Sequence, residues 1–225
     1  MHIRPDYVIH TLKGILGNVL DFIVPRSPVV LSLERMGPAG FRTAVPQSHD
    51  QIPNITSLFE YRHPLTKELI RQIKFKGNES LARLAGTLLY EHLIAELSEK
   101  ALFGDLGKTI IVPVPLALER LKERGFNQSE RMARSIIELD HHDYFKLSNA
   151  VLRNRETKSQ TKTKNRDERL HNLHGAFSVV HPDEIRGHRV IIVDDVVTTG
   201  STLSEIRSEV LRAGARSAEG LAFAH

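Results

Sequence analysis

Residues 190–202 read V-I-I-V-D-D-V-V-T-T-G-S-T, and that order leaves little freedom in what can surround them. Four β-branched residues without a polar interruption cannot alternate between a core and water. They describe a central strand covered on both faces, as in a parallel sheet layered by helices. Asp194 and Asp195 close the run, at the carboxyl end where open α/β sheets hold their ligands. Neighbouring carboxylates repel each other and lose hydration when buried, so hydroxyls, a metal ion or cations must compensate them. Thr198, Thr199, Gly200, Ser201 and Thr202 then offer consecutive backbone N–H groups and hydroxyls at a helix start, with Gly200 allowing close approach of the backbone. That is an anion site by dipole and by unpaired donors. Acid pair and cradle together suit a phosphorylated ribose, whose vicinal hydroxyls donate to the carboxylates. The plainer alternative is a strand with an acidic end and a Ser/Thr helix cap, but the full order is more specific than any of its pieces. No Gly-Lys-Ser/Thr ends the string, which disfavours nucleoside triphosphate hydrolysis of the P-loop kind.

The flanking pattern supplies the rest of a sheet. Residues 109–112 read as a second buried strand, 150–152 and 176–180 as brief ones, 189–193 as the strand into the acid pair, and 218–224 as the last. Helical spacing marks Leu65, Leu69, Ile70 and Ile73 after Pro64, then Leu81 to Leu97, 116–123, 128–139, and Leu203, Ile206 and Val210. Strand, helix, strand at this spacing is a βαβ unit, which implies parallel strands and a right-handed crossover. The expected fold is therefore α/β, with a mainly parallel central sheet flanked by helices. Before it, Val8, Ile9, Leu12, Ile15, Leu16, Val19, Leu20 and Ile23 fall on one helix face, which Pro25 and Pro28 are expected to end. Residues 26–53, rich in Pro, Gly and Ser, are expected to form a loop-rich connector or a small degenerate module. The division read from this is 1–55 for the N-terminal helix and connector, and 56–225 for the α/β domain.

Composition excludes several classes. The chain has no cysteine, which removes disulfides, thiolate metal sites and a Cys nucleophile. Residues 14–24 are interrupted by Asn18 and Asp21 and lead to no small-residue cleavage site; they are too short and polar to span a bilayer. A leaderless cytoplasmic protein with no membrane span is expected. The net charge of +4 and pI near 9.4 suit polyanionic partners. Much of that charge falls in residues 153–171, which break every periodicity. A lid over polyphosphate, a nucleic-acid contact and a plain solvated loop all fit this segment; its length favours a functional one.

Residues 190–202 resemble the phosphoribosyl pyrophosphate (PRPP) signature of type I phosphoribosyltransferases. Ile111-Val112-Pro113-Val114-Pro115-Leu116, then Arg120 and Arg124-Gly125-Phe126-Asn127-Gln128, resemble the ComF/GntX branch of that family. So do Arg153-Asn154-Arg155-Glu156-Thr157 with Gln160, Arg166, Asn172 and Gly175-Ala176-Phe177, and also Ile73-Lys74-Phe75-Lys76-Gly77. The resemblance runs from about Thr56 to Ala224 and implies a type I phosphoribosyltransferase-like domain over 56–225. It implies that Asp194 and Asp195 hold the ribose hydroxyls, directly or through Mg²⁺, and that Thr198, Thr199, Gly200, Ser201 and Thr202 bind the 5′-phosphate. Val114 would lie in the pyrophosphate loop, its N–H reaching an oxyanion while Pro113 and Pro115 offer none; a rigid strand exit is the alternative. Arg120 and Arg124 would neutralise pyrophosphate as the glycosidic bond breaks, or else form a solvated helix face. Arg153, Arg155, Lys158, Gln160 and Arg166 would serve a lid or a polyanion contact. Phe126 would stack on a base or fill a core gap.

Leu20-Asp21-Phe22-Ile23-Val24-Pro25 resembles the lead-in to a four-cysteine zinc module, but no cysteine follows and only His49 and His63 lie nearby. No zinc is expected. The activity implied is transfer of the phosphoribosyl group of Mg²⁺–PRPP to a nitrogen nucleophile with release of pyrophosphate, a glycosyltransferase reaction. No general base is evident, since His141 and His142 read as turn residues, and the acceptor is not legible. The other function class is a competence factor that binds single-stranded DNA during uptake, with protein partners in that machinery and the pocket reused or acting as a PRPP sensor. Against it, aromatic residues make up only 6% of the chain, with no stacking set near the basic loop.

Overall fold

The computed structural model describes residues 27–49, 52–101, 107–154 and 175–225. Its first element is helix α1 (Pro28–Ala44), in the segment whose composition reads as a connector. Ser27 caps it, accepting the Val30 N–H, and Pro28 takes a first-turn position, where its missing N–H costs nothing. Pro28 therefore opens a helix. Gly37, at φ 66° and ψ 177°, interrupts α1, and Pro38 starts its second half. The apolar period is thus split between two short pieces, which is why it does not read as one stripe. Val30, Leu33 and Phe41 are nonetheless buried.

Strand β1 (Ile55–Phe59) follows, then α2 (Pro64–Arg71), which widens into a single π-helical turn, Gln72–Lys76, stopped by Gly77 at φ 60°. Next come α3 (Glu79–Ala101), β2 (Thr109–Pro113), α4 (Leu118–Arg124), α5 (Gln128–Leu139) and the short β3 (Phe145–Leu147). Strands β4 (Val151–Arg153) and β5 (Phe177–Val179) pair with each other, and β6 (Arg189–Val196), α6 (Ser201–Arg212) and β7 (Ser217–Ala224) complete the chain. The acid-pair strand and the helices expected after Pro64 are all present. Strands β1 and β3 have no counterpart in the sequence reading. Both lie at sheet edges, are five and three residues long, and lack a continuous apolar run.

Five strands run parallel in the order β1-β7-β6-β2-β3. Strand β6 is central, and it runs three residues beyond the expected end, because β7 keeps pairing through Asp194↔Ala222 and Val196↔Ala224. All carboxyl ends of the sheet therefore open on one edge. On one face, α1, α2, α3 and α5 cover a core that contains Ile191 and Val193. Phe41, Phe59 and Phe223 meet there with centroids 5.0 to 5.7 Å apart, joining α1 to β1 and β7. On the other face, Leu203, Ile206 and Val210 of α6 pack over Val190 and Ile192.

The antiparallel β4–β5 ribbon stands beside the main sheet. Val151 and Phe177 bury into the second core, and the Gly175 N–H donates to Glu205 Oε1 at 3.1 Å. No helix among the described residues is long and apolar enough to cross a membrane. The helix expected at Val8 to Ile23 and the polar segment carrying Arg155, Lys158, Gln160, Arg166 and Asn172 lie outside the described residues.

If α1 is structurally part of this core, Phe41→Ala lowers unfolding stability by about 3–5 kcal/mol, the usual cost of truncating a buried Phe. Urea unfolding followed by far-UV circular dichroism reads this directly. An unchanged midpoint would show that α1 contributes no packing to the core.

Candidate functional site

Successive side chains of β6 face opposite sides of the sheet, so the two carboxylates acquire different surroundings. Asp194 is half-buried, and its Oδ1 accepts from Ser129 Oγ at 2.9 Å and from the Asp195 N–H at 2.9 Å. Asp195 is 4% exposed. Its Oδ2 is buried and accepts no aligned hydrogen bond, and the Lys74 ammonium lies 3.0 Å away as an ion pair. Burial pushes the Asp194 carboxyl up to about 7, and the Asp195 charge adds to the shift. The Asp195 N–H, the Ser129 hydroxyl and Lys74 act in the opposite direction. Asp194 thus changes charge near neutrality.

After β6 the chain turns through the Ser/Thr-rich loop. The Val197 N–H still bonds the Ala224 carbonyl at 2.9 Å, and the Thr198 carbonyl lies 2.7 Å from His225 Nε2. Thr199 Oγ1 and Ser201 Oγ are 2.9 Å apart. Gly200 sits at φ 75°, and a Cβ there would lie 2.9 Å from both Ile52 and Ile55. Glycine is therefore required twice over, by conformation and by space. Because Gly200 is also the N-cap of α6, no cap side chain covers the first-turn N–H groups. Apart from a long 3.4 Å contact of the Ser201 N–H with Thr199 Oγ1, they are the unpaired donors of a helix start, a type of group that suits an anion.

The opposite wall corrects one expectation. The Val114 N–H donates to the Val193 carbonyl at 2.9 Å, and Val114 is buried. The β2–β6 ladder runs one residue past the strand, so this amide is already engaged and is not a donor for an oxyanion. The Val114 carbonyl accepts from Asn127 Nδ2 at 3.0 Å. Asn127 also caps α5 by accepting the Ser129 N–H at 3.1 Å. The start of α5 thus ties the Pro113–Leu116 loop to the acid pair.

Gly125 and Asn127, which interrupt a plain helix pattern, are the stop of α4 and the cap of α5. Phe126 lies beneath the Arg131 guanidinium at 3.9 Å, and a Cβ on Gly77 would come within 2.9 Å of its ring. It is a packing residue of the turn. Phe75, by contrast, is 65% exposed, with the Arg124 guanidinium 5.1 Å from its ring centre. Arg124 also donates to Gln128 Oε1 at 3.3 Å.

Arg153 ends β4, with its guanidinium 5.5 Å from the Phe177 ring centre. Burial lowers its pKa from the ordinary value; the Arg120 charge adds to this and the Asp194 charge opposes it. The ribbon therefore brings Arg153 into the field of both Arg120, exposed on α4, and the acid pair. His141 and His142 are exposed in a turn, as expected. Lys74, Ser129 and Asn127 are the site residues to which the sequence gives no role. Lys74 and Asn127 stand inside family-like motifs, but their partners are distant in the chain and no spacing connects them.

The donor set also bears on magnesium. Among the described residues, no group of three or more His, Cys, Asp or Glu side chains is placed to hold a metal ion. At the acid pair, Lys74 and Ser129 already occupy one carboxylate oxygen each. The other oxygen of each carboxylate has no side-chain cation or hydroxyl on it among the described residues.

Residues 86–223 match the phosphoribosyl transferase domain. The chain is 34% identical over 183 residues to the DNA utilization protein YhgH of Escherichia coli K12, covering 76% of this chain and 77% of that protein. It is 37% identical over 153 residues to competence protein F of Haemophilus influenzae, covering 68% and 63% of the two chains. Competence protein ComFC of Bacillus subtilis is 28% identical over 147 residues, covering 65% and 53%. A parallel sheet with an acid pair and glycine-bearing loop at its carboxyl edge agrees with these matches, and the chain belongs to the phosphoribosyl transferase domain family, in its ComF branch.

Proposed function

We propose that the chain binds PRPP and transfers its phosphoribosyl group to a nitrogen nucleophile, releasing pyrophosphate. The observation that carries this reading is the acid pair followed by the Gly200 loop, on the edge where every strand of the sheet ends. The 2′- and 3′-hydroxyls donate to Asp194 and Asp195, and the loop N–H groups and hydroxyls hold the 5′-phosphate. This fixes the anomeric carbon from two sides. The bond from that carbon to the pyrophosphate oxygen breaks, and its electron pair leaves with pyrophosphate. The nucleophile's lone pair forms the new C–N bond, and its surplus proton passes to solvent. Negative charge grows on the departing pyrophosphate, and Arg153 and Arg120 stabilise it under this reading; their shared electrostatic field beside Asp194 supports the assignment. Mg²⁺ enters as part of the PRPP complex, and the cytoplasm is the proposed compartment.

Titration calorimetry of Mg²⁺–PRPP tests the pocket. Asp194→Asn with Asp195→Asn is expected to abolish measurable binding, and an unchanged affinity would refute the assignment. Pyrophosphate release across a panel of nitrogen bases separates turnover from sensing, since a sensor binds PRPP and releases none.

The same pocket has a pH signature. A carboxylate accepts hydroxyl donors better than a neutral carboxyl does, so PRPP binding by the wild type should tighten as pH rises through about 7, where Asp194 ionises. After correction for the ionisation of PRPP itself, a flat profile counts against Asp194 as a ribose ligand.

A second reading has its own observation. Phe75 presents an exposed ring beside Arg124, an arrangement suited to stacking a nucleobase next to cations that track a phosphate backbone. The names of the relatives point the same way, to DNA and to competence, and protein partners in DNA uptake would follow. Under this reading Phe75→Ala weakens single-strand binding by about 1–3 kcal/mol and affinity falls steeply with salt. Fluorescence anisotropy with a labelled oligonucleotide measures both; salt-independent binding would exclude it.

A further inference from the structure

Two adjacent carboxylates at the end of a buried strand need positive charge against them, and among the described residues Lys74 is the cation in direct contact. The Lys74 ammonium is 3.0 Å from Asp195 Oδ2, an oxygen with no other partner. Lys74 is itself largely covered, at 24% exposure. Its turn is anchored on both sides. Gln72 Nε2 donates to Glu68 Oε1 at 2.8 Å, and the Gly77 carbonyl accepts from Arg131 Nη1 at 2.5 Å. Phe126, in the turn before α5, closes against Gly77. The π-helical widening at Gln72–Lys76 is a costly local geometry that recurs at functional positions. Here it carries the lysine that reaches the acid pair.

We propose that Lys74 is the built-in counter-ion of the acid pair, taking at Asp195 the place a divalent ion would otherwise fill. The ribose 5-phosphate half of the ligand then binds without divalent metal. Lys74 acts through Asp195: it holds that carboxylate by one oxygen while the other oxygen stays available to a ribose hydroxyl. It is a positioning residue. Magnesium is needed only where pyrophosphate brings its own charge. The inference rests on the phosphoribosyl reading given above.

The probe is ribose 5-phosphate, which has the phosphate and the ribose hydroxyls but no pyrophosphate. Calorimetry with EDTA and with excess Mg²⁺ compares wild type, Lys74→Met and Lys74→Arg, and Mg²⁺–PRPP is titrated into wild type as a check on the underlying reading. Wild type is expected to bind ribose 5-phosphate equally well in both buffers, within about threefold. Lys74→Met is expected to lose about tenfold or more in EDTA and to recover part of it with Mg²⁺, while Lys74→Arg stays near wild type. Ribose 5-phosphate binding by wild type that requires Mg²⁺, or that is absent while Mg²⁺–PRPP binds, overturns the inference. So does a folded Lys74→Met that binds as wild type does in EDTA. If Lys74→Met does not fold, the wild-type comparison between buffers and the Lys74→Arg variant decide. Wild type that binds neither ligand refutes the phosphoribosyl reading itself.

Discussion

Everything at the open edge of this sheet is arranged around the cost of two negative charges at the end of a buried strand. Strand β6 is apolar and central, so its carboxyl end delivers Asp194 and Asp195 into a place where water cannot fully solvate them. Three elements respond. The π-helical turn after α2 brings Lys74, the start of α5 brings Ser129, and β6 turns its own Asp195 N–H onto Asp194. The compensation is partial, as the raised Asp194 pKa indicates. Ligand hydroxyls are well suited to complete it.

The opposite end of the sheet meets a similar demand in another way. Arg189, at the start of β6, is almost fully buried and donates from one nitrogen to Glu96 of α3 and to Glu219 of β7, at 2.7 and 2.8 Å. Removing one partner from a buried ion cluster of this kind typically costs several kcal/mol. Here the charge is neutralised within the chain, and the cluster ties α3, β6 and β7 together. One strand thus carries an end whose charge is paired with carboxylates of its own chain and an end where two carboxylates are only partly compensated.

The parts that were legible in the sequence are those whose physics is local. An uninterrupted β-branched run identifies β6, and Leu81 to Leu97 at helical spacing identifies α3. Gly200 is legible because a glycine between small hydroxyl residues after a strand has few other uses. The parts that were not legible depend on partners far away in the chain. The Val114 amide looks free in a Pro-Val-Pro string, and only the neighbouring strand shows that Val193 has engaged it. Lys74 reads as one more cation until folding places it against Asp195. Helix α1 is hidden for a different reason. Gly37 and Pro38 divide its apolar face into pieces too short to show a period, and Pro28 has opposite meanings at a helix start and a helix end.

Asn127 and Ser129 couple two parts of the cleft. Through one helix start they hold the Pro113–Leu116 loop by its Val114 carbonyl and the acid pair by Asp194. The two walls of the cleft are therefore parts of a single rigid body. A change at the start of α5 displaces both walls together, so this region is poor ground for adjusting one ligand group independently of another. The β4–β5 ribbon is not paired with the main sheet and carries Arg153 at the end of β4. Side-chain changes at that end leave the acid pair and the Gly200 loop in place, which makes the ribbon's end the adjustable part of an otherwise fixed cleft.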